Sequence, residues 1–246
     1  MPRFAVLLPA AGKSSRFRDR EKKPFVNLDG RAVWLRCAEL FITRDDVCQC
    51  LIIVAPEDQE TFRRRYQANL AFMNVQIADG GKERFDSVAN ALAKVKEEAE
   101  FVAIHDAARP CVTAELIESV FAAGAKMGAA MLAVPVSDTV KRSDDKGRVT
   151  ETVPRQGLWL AQTPQVFRRD WIIEAYAKRG QLGRDITDDA QLIEALGHPV
   201  YLIQGSTTNV KITAREDLTL AEAVLKARPK PKAARPIHPF EDEYKW

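Results

Sequence analysis

The feature that most restricts the fold of this chain is a regular alternation between short apolar runs and longer amphipathic stretches. Between the apolar runs, apolar residues recur at intervals of three and four, as at Phe85, Val88, Leu92 and Val95, which predicts helices with one apolar face. Strands joined by helices need crossover connections, so the pattern predicts an α/β fold with a mostly parallel, twisted sheet flanked by helices. The six runs that resemble buried strands are Phe4 to Leu8, Leu51 to Ala55, Val75 to Ala78, Phe101 to Ile104, Ala130 to Val134 and Val200 to Ile203.

The alternation stops between Pro135 and Pro164, where short polar stretches flank a turn at 144–147. We therefore expect a projecting β-hairpin arm at about 136–160 within a single domain of residues 1–228. An isolated hairpin is marginally stable, so the arm is expected to pack on other structure, and a second subunit is one candidate. The Pro- and cation-rich residues 229–246 are expected to be extended or disordered.

Composition narrows the function classes only a little. The chain has 246 residues, a net charge of +3 and four scattered cysteines without a CxxC pair, so neither a basic nucleic-acid-binding domain nor a disulfide framework or structural zinc site is indicated. The first apolar run is too short for a signal peptide or a membrane span. We expect a cytoplasmic protein that binds neither nucleic acid nor membrane.

In parallel sheets, ligands bind at the carboxyl ends of the strands, so the residues after each apolar run are the first candidates for chemistry. After the first run come Pro9-Ala10-Ala11-Gly12, and residues 13–23 then carry six cations against two acids. Small residues let backbone N–H groups approach a phosphate, and cations neutralise it, although a basic surface loop would look the same. The P-loop spacing is absent, which argues against an ordinary ATPase or GTPase and leaves nucleotidyl transfer open.

Three further segments follow predicted strands or lie close to them. Asp106 follows the fourth run and could hold Mg²⁺ together with nucleotide phosphates, or it could simply cap a turn and pair with Arg109. Gly80 and Gly81 precede a predicted helix whose N-terminus could receive a polar ligand. Lys211 lies in an alternating segment, 209–213, that suggests a short strand.

Taken together, these segments resemble the 2-C-methyl-D-erythritol 4-phosphate cytidylyltransferase family over roughly residues 4 to 226. The run His105-Asp106-Ala107-Ala108-Arg109-Pro110 is the most specific part of the match. The other matching segments, in chain order, are Pro9 to Gly12 with Arg16 and Lys23, Gly80 to Val88, Asp138 to Arg142, Gln162 to Phe167, Ile186 to Asp189 and Asn209 to Thr213.

The resemblance implies a nucleotide-diphospho-sugar transferase fold, which is Rossmann-like, and transfer of CMP from CTP to a sugar-alcohol phosphate. It also implies Mg²⁺ at Asp106 and a homodimer that exchanges its arms. The implied catalytic cations are Arg16, Lys23 and Lys211. The implied nucleotide-binding residues are Ala10, Ala11, Gly12, Gly81, Ser87 and Asp106. The implied acceptor-binding residues are Asp106, Arg109, Thr139, Arg155 and Thr187.

The chain departs from the family pattern in two places. Ser14 stands where the family usually has a second glycine, and the adjacent Lys22 and Lys23 leave two candidates for one lysine, of which the spacing from Arg16 favours Lys23. The acceptor also has two candidates, 2-C-methyl-D-erythritol 4-phosphate and a pentitol phosphate such as ribitol 5-phosphate. A nucleotide-binding module without catalytic activity is the alternative from another class.

Overall fold

The computed structural model describes residues 1–12, 22–181 and 186–228. The strands are β1 (Phe4–Pro9), β2 (Asn27–Leu28), β3 (Arg31–Ala32), β4 (Val47–Val54), β5 (Val75–Asp79), β6 (Phe101–Ile104), β7 (Ala129–Pro135), β8 (Val140–Ser143), β9 (Val149–Val153), β10 (Trp159–Arg168) and β11 (Tyr201–Gln204). The α-helices are α1 (Val33–Ile42), α2 (Gln59–Phe72), α3 (Arg84–Leu92), α4 (Ala114–Met127), α5 (Arg169–Lys178), α6 (Ala190–Ala195) and α7 (Glu216–Ala227).

A seven-stranded sheet forms the centre of the molecule, in the order β11-β7-β10-β6-β1-β4-β5. β10 is antiparallel to both of its neighbours, while the pairs β1–β4, β1–β6, β4–β5 and β7–β11 are parallel. The prediction of a mostly parallel sheet is therefore confirmed, and all six predicted strands are present. No helix in the described ranges is long and apolar enough to cross a membrane.

Helices cover both faces of the sheet at β1, β6 and β7, which explains why these strands are apolar without alternation. Along β1, Val6 and Leu8 belong to one buried cluster, whereas Ala5 and Leu7 belong to the cluster on the opposite face. Two of the helices in the described ranges, α3 and α4, begin at side-chain caps. The side chain of Thr113, for example, accepts a hydrogen bond from the backbone N–H of Leu116 at the start of α4.

β10 is the main element that the sequence did not predict, since the arm was expected to extend to about 160. The observed hairpin is shorter, with β8 and β9 pairing only with each other over 140–153. Residues 159–168 instead enter the central sheet between β6 and β7, with a register shift between Ala161 and Gln165. That irregularity turns the Thr163 side chain toward the end of β6.

The prediction of a short strand at 209–213 was wrong. This segment has no ladder of backbone hydrogen bonds, and it is held by a bond from the Ile212 N–H to the Ala108 carbonyl and by the buried side chain of Asn209. Cys37, Cys50 and Cys111 are buried, and all four cysteines are free thiols. The sequence therefore correctly indicated no disulfide framework.

Candidate active site

A cavity of about 940 Å³ opens at the carboxyl ends of β1, β4, β5 and β6. Each of these strands is followed directly by residues that line it, as the topology of parallel sheets requires. Of the residues expected to serve the reaction, eight line this one cavity. They are Ala10, Ala11, Gly12, Lys23, Gly81, Ser87, Asp106 and Lys211.

The loop after β5 approaches the loop after β1 so closely that only glycine fits at its start. A β-carbon at Gly80 would come within 2.6 Å of the β-carbon of Ala11. The next residue, Gly81, donates its backbone N–H to the Ser87 hydroxyl at 2.9 Å, and that hydroxyl donates to the Glu83 carbonyl at 3.0 Å. Ser87 therefore fixes the shape of this loop from the first turns of α3.

Asp106 is the electrostatic centre of the cavity. Its carboxylate lies 2.7 Å from the Lys211 ammonium, 3.6 Å from Nε of Arg109 and 3.9 Å from an Arg84 nitrogen. Burial by itself would raise the pKa of Asp106, but the charges of Lys211, Arg84 and Arg109 outweigh it and hold that pKa well below its usual range. Asp106 is therefore ionised throughout the physiological pH range.

Two buried side chains, those of Thr163 and His105, hold the turn that carries Asp106 in place. The Asp106 N–H donates to the Thr163 hydroxyl at 3.0 Å, and that hydroxyl lies 3.2 Å from Nδ1 of His105. Nε2 of His105 lies 3.1 Å from the Arg109 carbonyl, so a neutral ring with its proton on Nε2 satisfies both contacts. Burial lowers the pKa of His105 to about 4, in agreement with a neutral ring.

The two adjacent lysines have different surroundings. The ammonium of Lys22 lies 2.5 Å from Asp58 and 3.3 Å from Glu57, beside the cavity. Lys23 lines the cavity itself, together with Lys211. The geometry thus supports the choice of Lys23 that the spacing favoured, and it gives Lys22 a structural partner.

The remaining predicted residues that the structure describes do not line the cavity. Arg109 packs behind Asp106 and donates from Nη1 to the Asn209 carbonyl at 2.8 Å. Thr139 and Arg155, at the two ends of the arm, and Thr187, before α6, are all exposed. Arg16 lies outside the described residues.

Three residues that help to build the site were not singled out from the sequence. Arg84 lines the cavity and contacts Asp189, and Thr163 supports the Asp106 turn. All three fall within matching segments, but none of them was assigned an individual role. Asp189 is buried, and it lies 105 positions away from its partner Arg84 in the sequence. A local sequence pattern does not reveal such a pairing.

The donor set fits a hard cation such as Mg²⁺, which proteins often hold through one or two carboxylates with phosphates and water completing the shell. Asp106 is ionised and lines the cavity, so it supplies one such carboxylate. No group of three or more His, Cys, Asp or Glu side chains suited to a metal occurs among the described residues.

Comparison with known proteins gives a consistent result. The family model IspD, 2-C-methyl-D-erythritol 4-phosphate cytidylyltransferase, matches residues 4–227. A protein of that name from Rhodopirellula baltica is 43% identical over an alignment of 232 residues that covers 90% of this chain and 94% of the relative. One from Pelotomaculum thermopropionicum is 42% identical, covering 93% of this chain and 96% of the relative.

Solved structures agree with the sequence relatives. A crystal structure described as 4-diphosphocytidyl-2C-methyl-D-erythritol synthase superposes with a TM-score of 0.77 at 33% identity and covers 92% of this chain and 99% of its own. The 2-C-methyl-D-erythritol 4-phosphate cytidylyltransferase of Thermus thermophilus gives a TM-score of 0.75 at 32% identity, with coverages of 90% and 98%. The predicted nucleotide-diphospho-sugar transferase fold is consistent with these structures.

Proposed function

The chain belongs to the 2-C-methyl-D-erythritol 4-phosphate cytidylyltransferase family, and on that basis we propose that it transfers CMP from CTP to 2-C-methyl-D-erythritol 4-phosphate. The products are pyrophosphate and CDP-methylerythritol, in non-mevalonate isoprenoid biosynthesis. The observation that carries the proposal is the convergence of Gly12, Lys23, Asp106 and Lys211, which are far apart in sequence, on one cavity at the strand ends.

The reaction needs little acid–base chemistry from the protein. The nucleophile is a phosphate monoester, which is mostly a dianion near pH 7 because its second pKa is about 6. One of its oxygens forms a bond to the α-phosphorus of CTP, the bond to the bridging oxygen of the β-phosphate breaks, and pyrophosphate leaves. No proton has to be removed from the nucleophile, so the cavity needs no general base.

The main obstacle is repulsion between two anions, and preorganised cations lower it. Lys23 and Lys211 line the cavity and are placed to neutralise the triphosphate and the charge that develops at the α-phosphorus. Arg16 is assigned to the same task. The small residues Ala10, Ala11 and Gly12, with Gly81 and Ser87 opposite, form the wall that receives the nucleotide.

The cofactor in this proposal is Mg²⁺, or another divalent cation, held at Asp106. When bound, it would neutralise phosphate charge and stabilise the departing pyrophosphate. Asp106 suits this role because it is ionised and sits in the cavity wall, while Lys211 at 2.7 Å orients its carboxylate.

The acceptor side is assigned to Asp106 and Arg109, to Thr187 and to the arm residues Thr139 and Arg155. The arm residues are exposed in the single chain, which fits a homodimer in which each arm serves the neighbouring cavity. Apolar side chains at the base of the arm support this arrangement, since Leu158, Trp159 and Leu160 are all exposed. The proposed setting is the cytoplasm.

The test is pyrophosphate release from CTP, with 2-C-methyl-D-erythritol 4-phosphate and ribitol 5-phosphate compared under identical conditions with Mg²⁺. We expect rapid release with the methylerythritol phosphate and slow release with ribitol 5-phosphate. The opposite preference would move the activity to pentitol phosphates. CTP binding without release from either acceptor would favour a nucleotide-binding module instead.

A further inference from the structure

A buried polar network adjoins the cavity and has no part in the mechanism described above. The carboxylate of Asp189 is fully buried. One of its oxygens accepts a hydrogen bond from the Arg84 guanidinium at 2.6 Å, and the other accepts one from the Tyr176 hydroxyl. The network therefore joins α5, α6 and the first residue of α3.

Helix capping does not explain the buried carboxylate. Asp189 stands at the N-cap position of α6, but its side chain makes no capping hydrogen bond. The neighbouring Asp188 performs that task, because its Oδ1 accepts from the backbone N–H of Gln191 at 3.1 Å. Both oxygens of Asp189 are thus directed away from its own helix.

Stability does not explain it either. A buried ion pair gains little over apolar packing, because desolvation of the two charges offsets their attraction. Burial and the Asp189 charge raise the pKa of Tyr176, so its hydroxyl remains a neutral donor. Asp189 is consequently held by two donors at a place where apolar residues in place of all three side chains would fill the core at least as well.

The network ends at the active site. Arg84 lines the cavity, and the nitrogen that contacts Asp189 at 2.6 Å also lies 3.9 Å from Asp106. The two carboxylates therefore compete for one guanidinium, and Asp189 holds it more closely. If Asp189 lost its charge, Asp106 would be the nearest remaining anion for Arg84.

We infer that Asp189 is a positioning residue, which acts through Arg84 and rests on the proposed function of the cavity. It holds Arg84 back from Asp106, so that Asp106 keeps its close contact with Lys211 while the Arg84 charge remains in the cavity wall. Without this restraint, Arg84 closes onto Asp106, and the carboxylate is less available to the reacting groups.

A double-mutant cycle tests the inference through kcat for pyrophosphate release and KM for CTP, with the thermal unfolding midpoint recorded for each variant. Asp189→Asn should lower kcat about tenfold, equivalent to ~1.4 kcal/mol, with less than about a threefold change in KM. In an Arg84→Gln background, the same substitution should lower kcat further by less than about twofold, because the residue through which it acts is gone.

The matched control is Arg179→Gln. It removes an ion pair of the same length, 2.6 Å to Asp86, from the neighbouring end of α5 without touching Asp106, and it should leave kcat within about twofold. If the loss of kcat in the double variant equals the product of the two single losses, the inference is overturned. It is also overturned if the loss of kcat in Asp189→Asn is explained by a smaller fraction of folded protein.

If Asp189→Asn does not fold, Tyr176→Phe decides the question. This variant keeps the carboxylate and removes one donor, so it should lower kcat about twofold to threefold in the native background and not at all beside Arg84→Gln. Equal losses in both backgrounds would contradict the inference. Failure of the proposed function is distinguishable, because unmodified protein and Arg179→Gln would then both release no pyrophosphate, and the inference would fall with it.

Discussion

The cavity and the arm differ in how completely one chain builds them. Around the cavity, Asp106 contacts Lys211 and the Thr163 hydroxyl, both of which come from distant parts of the same chain. On the arm, β8 and β9 pair only with each other, and Thr139 and Arg155 are exposed. The proposed homodimer predicts this difference, with one chain providing the nucleotide side of the site and the arm of a neighbouring chain completing the acceptor side.

The physical cause of the difference is burial. Parallel strands covered on both faces fix the positions of the loops at their ends, so the side chains there are held without a ligand. The arm has only one ladder, reinforced by exposed ion pairs such as Arg142 with Glu151, and exposed pairs contribute little. A partner surface would supply what the arm lacks.

The largest effect is expected on the cavity side, in Lys23→Ala. Removing a cation that stabilises the transition state should cost about 3 kcal/mol, or a roughly hundredfold loss in kcat, with a much smaller rise in KM for CTP. Steady-state kinetics of pyrophosphate release give both constants. Lys22→Ala is the matched control and should remain within about threefold of the unmodified enzyme, since Lys22 pairs with Asp58 and Glu57. Equal losses of kcat in the two variants would contradict the assignment of the catalytic role to Lys23 and not to Lys22.

The second effect concerns the support beneath Asp106. Because the pKa of His105 falls from 6.5 to about 4 on folding, the unfolded chain takes up a proton first as the pH decreases. The contribution of His105 to stability is therefore complete above about pH 6.5 and is lost as the pH falls toward 4, by an amount on the order of 3 kcal/mol. Denaturant unfolding between pH 7.5 and 4.5 should show a steeper loss for the native protein than for His105→Gln. Parallel pH profiles would contradict a buried neutral His105.

The third prediction tests the arm. Arg155→Ala should raise KM for the acceptor about tenfold, equivalent to ~1.4 kcal/mol, and leave KM for CTP nearly unchanged, because the arm serves the acceptor only. Kinetics with each substrate varied in turn separate the two constants. Mixing this variant with the much slower Lys23→Ala variant should restore part of the activity at low acceptor concentration if arms are exchanged between subunits. An unchanged KM for the acceptor would remove Arg155 from the site.

The smallest effect is expected within the hairpin itself. Arg142→Ala breaks the exposed pair with Glu151 and should change the free energy of unfolding by at most about 0.5 kcal/mol in urea denaturation. A loss above about 2 kcal/mol would mean that the arm is an integral part of the cooperative fold and not an element that depends on its partner.

Sequence reasoning succeeded where burial leaves a local pattern. The strand at Phe101 to Ile104 was predicted at its observed ends, because a strand covered on both faces is continuously apolar. β10 was not predicted, because Gln162, Thr163 and Pro164 interrupt its apolar residues and proline is rare inside central strands.

The candidate site divides in the same way. Asp106 and Gly81 follow strands, so topology alone places them at one edge of the sheet, and the family resemblance added Lys23 and Lys211. The pairing of Arg84 with Asp189 could not be predicted, because it joins residues 105 positions apart through a buried contact. The sequence of one chain also does not show how a second subunit would pack against it. The position of the arm residues relative to a neighbouring cavity therefore remains a prediction.

A crystal structure of the protein with CTP and Mg²⁺ would test the proposed site directly. We expect the triphosphate to lie in the strand-end cavity beside Gly12, with phosphate oxygens within about 4 Å of both Lys23 and Lys211 and the metal at Asp106. A nucleotide bound elsewhere, or a triphosphate that contacts neither lysine, would contradict it.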